Sequence, residues 1–123
     1  MLRGNFSAKI DDKGRLKVPT AFRSLIADKY GDAVYVTSLS GESALIYPMV
    51  VWIGIEEKLA DVPSTHPARD RFLDRVNYYG QTAEFDKQGR LSIHGRLRTS
   101  AEMVGEVDVF GLTSPISAWL AKS

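Results

Sequence analysis

The sequence predicts a mostly β protein with short helices, an α+β fold made of two ββαββ repeats joined by a helical linker. Three observations lead there. Residues 8–18, AKIDDKGRLKV, return without a gap as residues 83–93, AEFDKQGRLSI. Each copy is followed by a short helix signal and then by two Val-, Tyr- and Ile-rich or alternating stretches. Between the copies lies a segment punctuated by prolines with apolar residues at helical spacing.

In the first copy, residues 5–10 and 15–18 alternate in part and flank a turn signal, so they read as a hairpin-like pair of strands. Thr20 is the expected cap of a helix over 21–28, which Tyr30-Gly31-Asp32 ends. Strands follow over 33–38 and 43–47, with Ser40-Gly41-Glu42 turning the chain between them. Pro48 then opens a helix whose face is Val51, Trp52, Ile55 and Leu59. Asp61-Val62-Pro63-Ser64 breaks it, and Pro67 opens a second helix carrying Phe72, Val76 and Tyr79. The second copy gives strands near 81–86 and 89–93, a helix near 96–103, and strands near 106–111 and 115–119. Ala33–Thr37 matches Glu106–Phe110 in its alternation, and Leu45-Ile46-Tyr47 falls roughly opposite Ser117-Ala118-Trp119. The expected organisation is a first repeat over 1–47, a helical linker over 48–80 and a second repeat over 81–123, within one compact domain.

The 123 residues are enough to bury a core, and 44% hydrophobic with 25% charged residues is the composition of a globular chain. A formal net charge of +1 does not by itself signal a nucleic-acid partner, so any such partner depends on where the cations sit. The absence of cysteine excludes disulfides, thiolate metal sites and cysteine nucleophiles. Met1-Leu2-Arg3-Gly4-Asn5 lacks the apolar run of a secretory signal, and the longest apolar stretch, near 48–55, is too short to span a bilayer. An intracellular protein without a membrane partner is expected.

The repeated element is Asp-x-x-Gly-Arg: Asp11, Gly14 and Arg15, then Asp86, Gly89 and Arg90. An aspartate at the start of a turn accepts hydrogen bonds from backbone N–H groups further on. Glycine supplies the positive φ that other residues resist. The arginine is then held at the start of a strand, where its planar fork of donors suits phosphate or the edge of guanine. Lys9, Lys13, Lys17 and Arg23 lie near the first turn, and Lys87, Arg96 and Arg98 near the second, while Glu56, Glu57 and Asp61 gather in the linker. A basic face hidden in a near-neutral total is one reading of this pattern. The other is a pair of solvated hairpin turns inherited with the repeat.

These residues resemble the MraZ family. The likeness lies in Arg3-Gly4-Asn5, in Ile10-Asp11-Asp12-Lys13-Gly14-Arg15-Leu16 with Val18-Pro19 and Phe22-Arg23, in Leu45-Ile46-Tyr47-Pro48 with Trp52 and Glu57-Lys58-Leu59, and in the second Asp86-Lys87-Gln88-Gly89-Arg90-Leu91. It covers nearly the whole chain. The family belongs to the AbrB/SpoVT-like superfamily. The resemblance implies a swapped-hairpin, double-psi-like barrel formed by both repeats and a ring-like homo-oligomer such as an octamer. It also implies binding to short direct repeats in double-stranded promoter DNA. The implied role is a bacterial, cytoplasmic, nucleoid-associated regulator, usually a repressor, of the division and cell-wall gene cluster, including its own gene. Arg15 is then the main DNA-contacting arginine and Arg90 its partner. Arg3 adds a contact, Lys13 and Lys87 touch phosphates, and Asp11, Gly14, Asp86 and Gly89 brace the turns. No cofactor, metal or small-molecule substrate is implied. Two departures from the family pattern stand in the second half: His94-Gly95 opposite Pro19, and an end at Ser123 short of the further helix that family members commonly carry.

Rival readings are an enzyme and an antitoxin-like module that binds DNA and a protein. The two histidines, His66 and His94, stand in no metal-binding or triad spacing, and Asp11-Asp12 suits turn bracing better than a cation. No catalytic residue is expected. Antitoxins of the superfamily usually carry one repeat and a disordered tail, unlike this chain. The apolar linker helices are expected to pack on the barrel or on a neighbouring subunit.

Overall fold

The computed structural model describes residues 4–112 and 118–122. In chain order the elements are β1 (Asn5–Ile10), β2 (Arg15–Lys17), α1 (Thr20–Tyr30), β3 (Ala33–Thr37), β4 (Ala44–Pro48), α2 (Met49–Ala60), α3 (Pro67–Tyr78), β5 (Gln81–Glu84), β6 (Arg90–Ser92), α4 (Gly95–Ser100), β7 (Gly105–Leu112) and β8 (Ala118–Lys122). The eight strands make one antiparallel sheet in the order β5-β3-β4-β8-β7-β1-β2-β6. The end strands β5 and β6 come back into contact, so the sheet nearly closes into a barrel. The mostly β class with short helices is what the alternation and turn signals predict.

Several helix and strand boundaries differ from expectation, among them that of α4, which ends at Ser100 and not near 103. Thr20 does not cap α1; it is the first helical residue. Pro19 precedes it with φ −56° and ψ 142°, and no side chain caps the helix. The ring fixes φ and the extended ψ places Pro19 just outside the helix, so the chain enters α1 one residue before a threonine cap would allow. Pro48 acts alike: it ends β4 and, at φ −53° and ψ 138°, precedes α2. The last described strand, Ala118–Lys122, runs past the expected end at 119, and residues 115–117 of the expected strand lie outside the described residues. Its register is set by long-range pairing, Leu45 with Leu120 and Ile46 with Trp119, which local alternation does not report.

The sheet registers relate the two halves. Ala8 pairs with Val107, and Val34 with Ala83, so β1 adds to β7 and β5 to β3. Leu16 faces Leu91 at the middle of β2 and β6. Both leucines are fully buried, with Val18, Ile93, Val34, Val107, Ala44 and Ala121 around them. Burying each such leucine stabilises the fold by about 1.5–3 kcal/mol. Phe6, Phe22 and Trp119 close one end, with ring centroids 4.6 to 5.7 Å apart.

The linker helices pack on the sheet through a second apolar cluster. Trp52 stacks on Tyr35 at 4.5 Å and also meets Tyr47 at 5.1 Å and Phe72 at 6.4 Å. The Tyr35 and Thr37 hydroxyls donate to the Val76 carbonyl at 3.0 and 2.7 Å, tying the end of α3 to β3. The predicted apolar face of the first linker helix is therefore spent within the chain at Trp52, with Val51 and Ile55 packed at its margin. Val50 and Ile53, on the other side of α2, are exposed. No helix among the described residues is long and apolar enough to cross a membrane.

Candidate nucleic-acid interface

The two Asp-x-x-Gly-Arg turns are built alike, bond for bond. In the first, Asp11 Oδ1 accepts from the backbone N–H of Lys13 at 3.0 Å and of Arg15 at 2.8 Å. The Gly14 N–H donates to the Asp11 carbonyl, and the Asp11 N–H to the Arg15 carbonyl, each at 3.0 Å. In the second, Asp86 Oδ1 accepts from Gln88 at 2.8 Å and Arg90 at 2.9 Å, and the same two backbone bonds recur at 3.0 Å. Donation from the arginine's backbone N–H is the main reason that both carboxyls are held below the usual carboxylate range. Gly14 and Gly89 take φ of +80° and +74°, the region that favours glycine.

Each arginine also bonds its own aspartate: Arg15 Nε donates to Asp11 Oδ2 at 2.7 Å, and Arg90 Nε to Asp86 Oδ2 at 3.0 Å. The pairs are partly exposed, with 29% and 25% of the arginine side chains open to solvent. The carboxylate thus holds the inner edge of each guanidinium. Among the described residues, the terminal Nη groups of neither arginine have a hydrogen-bond partner. A guanidinium fixed through Nε and open at its Nη end is a directed pair of donors, suited to a phosphate or to an acceptor pair on a base.

The strands bring the two turns into one surface. Arg15 lies across from Ser92, Leu16 from Leu91 and Lys17 from Arg90. The Gly14 carbonyl accepts from the Ile93 N–H at 2.8 Å, and the Gly89 carbonyl from the Val18 N–H at 3.1 Å. Because side chains alternate across a strand, Leu16 and Leu91 fill the core while Arg15, Lys17, Arg90 and Ser92 share the outer face. The antiparallel pairing sets Arg15 and Arg90 two residues apart along the ribbon, about 7 Å.

The other expected site residues fall as follows. Lys13 and Lys87 are both exposed on the turns but not at matching positions: Lys13 occupies the place of Gln88, and Lys87 that of Asp12. Arg3 lies outside the described residues. Lys17 was not among the expected contact residues, yet it stands beside Arg90, and its Nζ donates to the Gln88 carbonyl at the second turn. Its signal in the sequence is the alternation Arg15-Leu16-Lys17, which puts both cations on one side of a strand. Positive φ was also only part of the requirement at Gly14. A Cβ there would overlap the Arg98 guanidinium, whose Nε donates to the Ile93 carbonyl at 2.7 Å. At Gly89 the neighbour is Arg23, with its Cδ 3.3 Å from where a Cβ would stand. Each turn is therefore covered by the helix arginine that follows the other.

The histidines have local roles. His66 precedes α3 and its Nδ1 accepts from the Ala68 N–H at 3.2 Å. His94 precedes α4 and its ring bonds the Tyr79 carbonyl. Among the described residues no group of three or more His, Asp or Glu could hold a metal ion.

Sequence comparison completes the picture. Residues 1–75 match the profile of the family described as "MraZ protein, putative antitoxin-like". This chain belongs to the MraZ family. A protein named Transcriptional regulator MraZ from Koribacter versatilis is 52% identical over 112 residues, covering 90% of this chain and 76% of its own length. Its namesake from Acidobacterium capsulatum is 48% identical over 114 residues, covering 93% and 78%. Another from Halothermothrix orenii is 37% identical over 123 residues, covering 99% and 82%. The MraZ profile stops short of the second turn, whereas the alignments to these regulators cover nearly the whole chain.

Proposed function

We propose that this chain is a sequence-specific DNA-binding transcriptional regulator, acting as a repressor of the division and cell-wall gene cluster that includes its own promoter. The observation that carries the reading is the outer face of the β2–β6 ribbon, which two guanidinium groups share, each held through Nε by its own turn aspartate and partly exposed. The relatives' shared name as transcriptional regulators agrees with it.

In this reading the two repeats, 1–47 and 81–123, exchange hairpins to form one AbrB-like barrel around the ribbon, with 48–80 as the helical linker. Arg15 is the principal contact to base edges and Arg90 its partner. Arg3, Lys13 and Lys87 add phosphate contacts, while Asp11, Gly14, Asp86 and Gly89 hold the turns in place. One ribbon offers few contacts. A ring of subunits, such as an octamer, meets several copies of a short element at once and gains affinity through effective concentration. Elements spaced by one helical turn, about 10 base pairs, present the same face of the duplex to successive subunits. The protein works in the bacterial cytoplasm at the nucleoid. Blocking the polymerase site then gives repression.

The test is a gel shift on a duplex carrying the region upstream of the chain's own gene. Wild type binds with strong salt dependence, because phosphate contacts release counterions. Arg15→Ala loses the shift while its elution volume on size exclusion stays that of wild type. Full binding by Arg15→Ala contradicts the proposal. The family's "antitoxin-like" description supports a second reading, a module that also binds a protein; co-purification of a stoichiometric small toxin with the full chain would favour it.

A further inference from the structure

The ribbon's two ends differ in charge in a way the shared motif conceals. Around the first turn stand Lys13 and Arg15 with Asp11 and Asp12, two cations against two carboxylates. Lys13 also borders a groove that Glu84 and Ser92 line. Around the second turn stand Lys87 and Arg90 with Asp86 alone, and the exchange of strands adds Lys17: three cations against one carboxylate. Lys17 is exposed and reaches the second turn's backbone at the Gln88 carbonyl. Its counterpart beside Arg15 is the neutral Ser92. At the first turn the Arg98 guanidinium lies against Gly14 and lines the same groove as Glu84, so those two charges offset one another; at the second, Arg23 meets Gly89 through its Cδ and has its Nε buried. Lys9, one strand further out, has Glu106 across from it on β7.

Resting on the DNA-binding reading above, we propose that the corner formed by Lys17, Lys87 and Arg90 is the phosphate anchor of the ribbon, and that Lys17 is a DNA-contacting residue. The charge-balanced corner around Arg15 attracts a polyanion weakly and is left to discriminate between sequences. A phosphate contact weakens binding uniformly across sequences when removed and lowers the salt slope; a base contact alters the preference for one sequence over another. Division of these tasks between two chemically similar turns follows from which lysine each receives from its neighbour strand.

The experiment measures fluorescence anisotropy of a labelled mixed-sequence duplex over a series of salt concentrations, using the full chain. Lys17→Ser lowers affinity several-fold and reduces the slope of log Kd against log salt by about one. Lys13→Ser, which removes the same charge from the other corner, has a smaller effect on both. Lys17→Arg keeps the wild-type slope, which a mere loss of the bond to the Gln88 carbonyl would not explain. Ser92→Lys gives the first corner its missing cation and raises affinity on the same duplex. If wild type binds but Lys17→Ser keeps its affinity and slope, or Lys13→Ser costs as much, the anchor assignment is overturned while the regulator reading stands. If the wild-type chain binds no duplex, both fall.

Discussion

The turns at Asp11–Arg15 and Asp86–Arg90 make the same bonds and present different surfaces. Backbone donation to the aspartate, the glycine at positive φ and the Nε–carboxylate pair recur within 0.3 Å, as in 2.7 against 3.0 Å for the ion pairs. What differs is what surrounds them: Asp12 against Lys87 on the turn, Ser92 against Lys17 across the ribbon, Arg98 against Arg23 above the glycine. Arg98 Nε donates to the Ile93 carbonyl, whereas Arg23 Nε is buried with no partner among the described residues. The comparison separates two kinds of constraint. The bonds inside the turn fix an arginine's direction and leave little room for change; the neighbours contributed from the other half set the charge of the surface and are free to diverge.

The largest effect is expected beneath the ribbon. Leu16 and Leu91 face one another and are both fully buried, so Leu16→Ala and Leu91→Ala are each expected to cost about 2–5 kcal/mol, and nearly the same amount. Chemical denaturation checks this; a large inequality would mean that the two halves share the core unevenly. The turn glycines come next. Gly14→Ala and Gly89→Ala both strain a positive φ, at about 1–3 kcal/mol. Gly14→Ala is the costlier, because its methyl displaces Arg98 from the Ile93 carbonyl, while at Gly89 Arg23 has only to shift a few tenths of an ångström. Equal losses in Tm would show that Arg98 yields as easily as Arg23.

The smallest expected effect is on acidification. Asp11 and Asp86 have folded pKa values below their unfolded ones. Their contribution to stability is therefore fully present above the unfolded value, about 4, and is lost as pH falls through the folded values. Between pH 5 and 8 neither turn contributes any slope. Below pH 4 both loosen together, which amide exchange at Arg15 and Arg90 reports; loosening of one turn alone would show that the other aspartate is not held by its backbone donors.

How far the sequence could be read follows the range of the interactions. The turns are local. Their Asp-x-x-Gly-Arg spacing states which carboxylate meets which N–H, and the expected bracing contacts and strand starts are legible from a handful of residues. The linker helices are legible too, because Pro48 and Pro67 mark their starts and Trp52, Phe72 and Val76 keep helical spacing. The boundary at Thr20 is not legible from cap preference alone, because Pro19 takes the position before the helix. The extension of the last strand to Lys122 and the placement of Lys17 beside Arg90 depend on pairing between residues far apart in the chain. Nothing in a local window encodes those registers; in the β2–β6 ribbon, the facing pair of buried leucines, Leu16 and Leu91, fits the observed one. The ion pair between each arginine and its own turn aspartate is not legible in the spacing, which does not tell which way a guanidinium folds.

In the proposed function the ribbon's two fixed guanidinium groups contact duplex DNA. That contact is tested most directly by titrating the upstream duplex with the Arg15→Ala/Arg90→Ala double variant beside wild type, with circular dichroism confirming the same fold in both. Losing two good arginine contacts costs about 2–6 kcal/mol, so the predicted result is affinity reduced by at least about thirty-fold, down to the level of an unrelated duplex. A correctly folded double variant that binds and discriminates as wild type does would contradict the claim.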